Sequence, residues 1–175
     1  MKKIVLIAGF VLLSTSAAAV SPSPSLGKAA ATCRPGETGP ALMIAVEGIK
    51  DRKGVLRAEL YPANDKDFLS PDYILVNAGK TFGRIDLDPV PSGAVTICMR
   101  VPAPGRYAIS LLHDRDRNLK FGIWGDGVGF PGSPKLGRSK PSVAMATVTA
   151  GAGQTRIPVR MQYLRGFGFS PLSGK

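Results

Sequence analysis

The chain has 175 residues, 44% of them hydrophobic and 20% charged, with 23 Lys and Arg against 12 Asp and Glu, one histidine and two cysteines. This length fits one ordinary domain able to bury roughly 70% of its unfolded surface, and a second domain is not expected. The formal charge of +11 suits an anionic partner, although a basic surface alone gives attraction and solubility rather than a site.

Met1-Lys2-Lys3, the apolar run Ile4 to Leu13 and the small residues through Ala17-Ala18-Ala19 have the three parts of a secretory signal peptide, with cleavage expected after Ala19. The apolar run falls short of the roughly 20 residues that span a bilayer, and no later segment reaches that length, so an integral membrane protein is not expected. Removing Lys2 and Lys3 from 23 basic residues leaves 21 against 12 acidic ones, a formal +9. The expected address is periplasmic or secreted. There nucleic acid is not an expected partner, and the available polyanions are envelope glycans, lipids and acidic proteins. All the acids lie between Glu37 and Asp126, while residues 127 to 175 hold seven Lys or Arg and no acid, which makes the C-terminal part the electropositive end.

Residues 20–40 are rich in Ser, Pro and small side chains and read as a flexible leader, because they offer little apolar area to offset ordering. Cys33 and Cys98 are expected to pair after export, closing a 65-residue separation. The chain-entropy contribution for such a loop is roughly 4 kcal/mol. A metal site is not supported by two lone cysteines.

The folded domain is expected over 41–163. Leu42 to Val46 and Val55 to Tyr61 flank a polar turn and read together as a hairpin; Leu56, Ala58 and Leu60 alternate with Arg57 and Glu59 at the two-residue period of a half-buried strand. Residues 62–80 read as a partly packed excursion with a helical turn, and Thr81 to Leu87 as a strand. In Ala94 to Val101, Val95, Ile97 and Met99 share one face and Cys98 the other, so the disulfide should staple the leader to the outer side of that strand. Tyr107 to Leu112 is apolar on both faces except at Ser110, as a central strand requires.

A long Gly- and Pro-rich loop is expected from His113 to Pro141, with Gly125 to Gly129 as a turn-rich lid, followed by strands at Val143 to Thr149 and Thr155 to Tyr163. Pro158 removes a ladder donor, so the last strand should lie at an edge or carry a bulge. Residues 164–175 read as a loose tail. About seven short strands with Gly and Pro turns predict an all-β, antiparallel, immunoglobulin-like sandwich.

The run Val101-Pro102-Ala103-Pro104-Gly105-Arg106-Tyr107-Ala108 followed by His113-Asp114, with Asn118, Lys120 and Gly129-Phe130 beyond it, resembles the exported bacterial family known as domain of unknown function 2141, over about residues 42–163. Arg115 stands where that pattern has Glu, and Arg117 and Leu119 where it has Gly. The resemblance implies a transthyretin-like or immunoglobulin-like sandwich and no activity.

Three chemistries are carried by the loop. Asp114, Asp116 and Asn118 sit at the alternating positions with which calcium loops begin, with Asp126 as a distant further ligand. The glycine and bidentate glutamate of that motif are missing, so Asx turns are the competing reading. His113 beside Asp114 suggests a general base and hence a hydrolase, but no nucleophile elbow or second histidine accompanies it, and no catalytic residue is assigned. Trp124 and Phe130, with His113 and Asp114, form the candidate ligand-binding set. The leading expectation is an exported, non-enzymatic binding or structural module without a cofactor, its contact surface the 113–141 loop and the basic C-terminal half. The alternatives are a calcium-stabilised sandwich and a hydrolase centred on His113.

Overall fold

In the computed structural model, residues 20–132, 136 and 140–172 are described; the signal peptide expected over 1–19 lies outside them. The chain forms an all-β sandwich that nearly closes into a barrel. Its strands are β1 (Ala41–Glu47), β2 (Val55–Pro62), β3 (Gly83–Leu87), β4 (Val95–Arg100), β5 (Gly105–Asp114), β6 (Gly127–Pro131), β7 (Thr147–Ala150), β8 (Gln154–Arg165) and β9 (Gly168–Pro171), with short helices α1 (Lys28–Ala31) and α2 (Asp72–Asn77). Hydrogen bonding runs in the order β3-β2-β5-β6-β8-β1-β4, with β7 added to β5 and β9 to β8.

Strand periodicity sorts residues between two cores. Leu56, Ala58 and Leu60 of β2, Val95, Ile97 and Met99 of β4, Tyr107, Ile109 and Leu111 of β5, and Ile157, Val159, Met161 and Tyr163 of β8 fill the interior. On the outer face, Tyr61, Ala108 and Phe130 are covered by Phe68 and Leu75 of the 62–80 excursion and by Leu136 and Ala146. Apolar burial on both faces makes β5 the central strand, as its sequence predicts. Beside this second core, Arg57 faces Asp86 and Glu59 faces Arg84 across β2 and β3, which neutralises all four charges in cross-strand pairs.

Several expectations are corrected. β1 and β2 do not form a hairpin: β1 lies between β4 and β8, and its pairing with β8 is parallel. The sheet is therefore mixed rather than wholly antiparallel. Of the Gly125 to Gly129 run expected as a turn-rich lid, Gly127 to Gly129 belong instead to strand β6, inserted between β5 and β8. It is a strand because its glycines are closely overlaid: a Cβ at Gly127 would lie 2.3 Å from the Tyr163 ring and one at Gly129 2.7 Å from Val159 Cγ1, so only a bare backbone fits. The strand expected at Val143 to Thr149 is a 3₁₀ turn, Val143–Met145, followed by β7. β8 is not an edge strand, although Pro158 falls just before the last β6 partner, Val159, where β1 runs alongside and β6 has ended.

The leader and tail also differ from expectation. Residues 164–171 are not loose, because β8 continues to Arg165 and β9 folds back on it. The leader packs into the seam between β3 and β4, the two ends of the sheet path. Gly27 carbonyl accepts the Arg84 N–H, Lys28 pairs with Asp86 at 2.7 Å, Ala31 is 1% exposed in the inner core, and Thr32 bridges to Met99. Cys33 and Cys98 are disulfide-bonded with 5.9 Å between Cα atoms. A composition reading weighs only the leader's own apolar area. It misses that two sheet edges with unpaired groups lie next to the staple and are satisfied by this segment.

Candidate functional site

β5 ends at the two residues on which the sequence concentrates its chemistry, and alternation sends them to opposite faces. His113 continues the inward series of Tyr107, Ile109 and Leu111. Asp114 continues the outward series of Ala108, Ser110 and Leu112.

The His113 imidazole is wholly buried. Its Nε2–H donates to the Lys53 carbonyl at 2.8 Å, and its Nδ1 accepts from the Tyr163 hydroxyl at 2.7 Å. That hydroxyl in turn accepts the Lys50 N–H at 2.9 Å. Burial pushes the His113 pKa below its ordinary value, outweighing the Lys53 carbonyl and the Asp51 carboxylate 4.0 Å away, both of which favour protonation. Burial likewise pushes Tyr163 up to about 12. Histidine and tyrosine are thus a neutral clasp that ties the β1–β2 connection to the end of the sandwich. Neither ring nitrogen is open to a substrate.

On the outer side, Asp114 is also buried. Its Oδ2 accepts the Leu119 N–H at 2.8 Å, while its Oδ1 is buried without a hydrogen bond. Buried Asp126 accepts the Arg115 N–H at 2.9 Å and the Gly122 N–H at 2.7 Å. Exposed Asp116 accepts the Asn118 N–H and side-chain amide, and Asn118 Oδ1 accepts the Lys120 N–H. Oxygens of Asp114, Asp116 and Asp126 lie within 4.8 Å of one another. Asn118, the fourth residue of the sequence set, serves the turn instead. Burial, with the Asp116 and Asp126 carboxylates close by, raises the Asp114 pKa. Arg117 and Leu119, at the two positions where the resembled pattern has glycine, have φ of 60° and 65°, the left-handed region in which a glycine is unstrained.

The outward face of β5 and β6 floors a groove of about 790 Å³. Ser110, Leu112, Val128 and Phe130 form the floor, Phe121, Ile123 and Trp124 one wall, and Leu69, Leu136, Leu164 and Phe169 line the remainder. Lys140, whose Nζ donates to the Phe68 carbonyl, also lines it, as does Glu59, which is neutralised by Arg84. Trp124 is 86% exposed, Phe121 49% and Ile123 44%. Phe121 rests on Phe169 with ring centroids 5.9 Å apart. Of the ligand-binding set read from sequence, Trp124 and Phe130 line this groove, whereas His113 and Asp114 stand outside it. Leu112, Ile123, Leu136, Leu164 and Phe169 are not in that set. The outward parity of β5 is the signal for Leu112; Leu136, Leu164 and Phe169 are brought in by tertiary packing.

A family model described as "Uncharacterized protein conserved in bacteria (DUF2141)" matches residues 44–158, which cover most of the sandwich, including β5, β6 and the acidic loop. No curated protein and no solved structure matches the chain. Among the described residues no helix is long and apolar enough to cross a membrane.

Proposed function

The chain belongs to this bacterial family, whose description names no activity, and we propose from its own geometry that it is an exported, non-enzymatic binding module whose outer groove takes the apolar chain of an anionic lipid. The observation that carries the reading is the groove itself. Its volume of about 790 Å³ lies within the usual range for small-molecule sites, and its lining is apolar and aromatic with few polar groups. An 86% exposed tryptophan at the rim of such a groove leaves apolar area that water solvates poorly. An acyl chain would cover it.

The anionic head follows from charge. The groove is completed by residues from the stretch 127–175, which contains Lys and Arg but no acid, and its one carboxylate lining residue is already paired with Arg84. A signal-peptide-like start and a disulfide both suit the envelope, where anionic lipids are available.

Trp124 is the only tryptophan, so its fluorescence reports the groove directly. Titration with lysophosphatidylglycerol below its micellar concentration should shift the emission to the blue, and lysophosphatidylcholine should bind more weakly. Calorimetry should then show about a tenfold weaker affinity for Trp124→Ala, on the order of 1.4 kcal/mol, with unchanged thermal stability. Equal binding by wild type and Trp124→Ala, or no emission shift with either lipid, would overturn the reading.

A further inference from the structure

The groove and the histidine clasp leave one cluster without a role. Asp114, Asp116 and Asp126 bring three carboxylates together with oxygens no more than 4.8 Å apart. The neighbouring cations are turned elsewhere: Arg115 pairs with Asp51 and donates to the Gly125 carbonyl, and Arg117 pairs with Asp88. Among the described residues no salt bridge reaches the three acids. Backbone and amide N–H groups satisfy part of the cluster, yet Asp114 Oδ1 is left buried with no hydrogen bond in a side chain only 1% exposed. A buried, unpartnered carboxylate oxygen is costly unless a proton or a metal cation meets it.

We propose that Asp114, Asp116 and Asp126 form a binding site for a hard divalent cation of calcium size. The donors are all carboxylate oxygens, the ligand type that calcium favours. Their spread is no wider than the distance across a calcium ion whose ligands lie at about 2.3–2.6 Å. The site is not the linear calcium loop suggested by the sequence. Its third acid comes from the far end of the loop, at the entry to β6, so the ion ties the end of β5 to the start of β6 and fixes the Leu119–Asp126 segment between them. Exposed Asp116 leaves one side open to water, which places the site with the weak extracellular class, Kd on the order of 0.1–1 mM. The proposal is independent of what occupies the groove.

The test uses the full protein, freed of metal with a chelator. Calcium at ten times its Kd should raise Tm by about 3–6 °C. Terbium, a luminescent stand-in for calcium, should show saturable emission sensitised by Trp124, two residues before Asp126, and calcium should displace it. Because Asp116 is exposed, Asp116→Ala should fold normally and lose both responses, while Asp65→Ala, outside the cluster, should keep both. No calcium-dependent rise in Tm, or an equal rise in wild type and Asp116→Ala, would overturn the site. An equal rise with magnesium would overturn the assignment to calcium size, because magnesium needs a tighter shell at about 2.0–2.1 Å.

Discussion

His113 and Asp114 are consecutive residues of one strand, both buried, and their polar atoms fare differently. The inward histidine has each nitrogen bonded, one to a carbonyl of the β1–β2 connection and one to Tyr163. The outward aspartate keeps one oxygen without a hydrogen bond and has two further carboxylates at its side. A polar group satisfied in the interior fastens parts of the fold together, whereas a buried one left over beside like charges calls for a further partner such as the proposed cation. The same divide runs along β5: the inward residues fill a closed core, and outward Ser110 and Leu112 floor an open groove.

The largest expected effect comes from removing the satisfied partner. His113→Ala should cost about 3–4 kcal/mol in urea unfolding, since it opens a cavity and strands both the Tyr163 hydroxyl and the Lys53 carbonyl. Lipid binding in the groove should survive in whatever fraction stays folded. A loss below about 1 kcal/mol would mean that the clasp does not hold the β1–β2 connection.

A smaller effect should appear on acidification. The folded protein holds the His113 pKa below 6.5, so the unfolded chain binds the proton more readily. Stability from this group is therefore present above pH 6.5 and falls as pH drops through that value toward the folded pKa. Unfolding free energy should decrease by about 1 kcal/mol between pH 7.5 and 5.5. His113→Gln should flatten that slope.

The smallest shift should have the opposite sign. The folded state raises the Asp114 pKa, so the ionised carboxylate costs stability once pH rises through that raised value. Without calcium, Asp114→Asn should stabilise the protein by roughly 0.5–1 kcal/mol at pH 7, because it removes a buried charge beside Asp116 and Asp126 while retaining an acceptor for Leu119. Thermal melts in chelator would check this. A destabilised Asp114→Asn would erase the contrast drawn between the two neighbours.

Much of this was legible in the sequence because strand alternation is a local property. The period of two assigns Val95, Ile97 and Met99 to the core and Cys98 to the outside, consistent with the Cys33–Cys98 staple, and apolar residues on both faces mark β5 as central. Asp114 and Asp116 could also be read from their short spacing, and Asp126 as a distant partner in the same loop. Trp124 and Phe130 could be named as binding candidates, but not the rest of the lining, since Leu69 and Phe169 arrive from distant segments.

The sequence by itself determined which residues face inward on strands such as β2 and β4, where the disulfide falls, and that the chemistry gathers around His113 to Asp126. Tertiary structure alone decided the partners. A strand's own pattern does not reveal that β1 lies parallel to β8, nor that the leader satisfies the open edges of β3 and β4. It also decided that Gly127 to Gly129 belong to a strand. Missing side chains read as turn freedom until the Tyr163 ring and Val159 are placed over them. The physical reason is range: alternation is fixed by backbone geometry from one residue to the next, while pairing and close approach depend on which distant surface arrives.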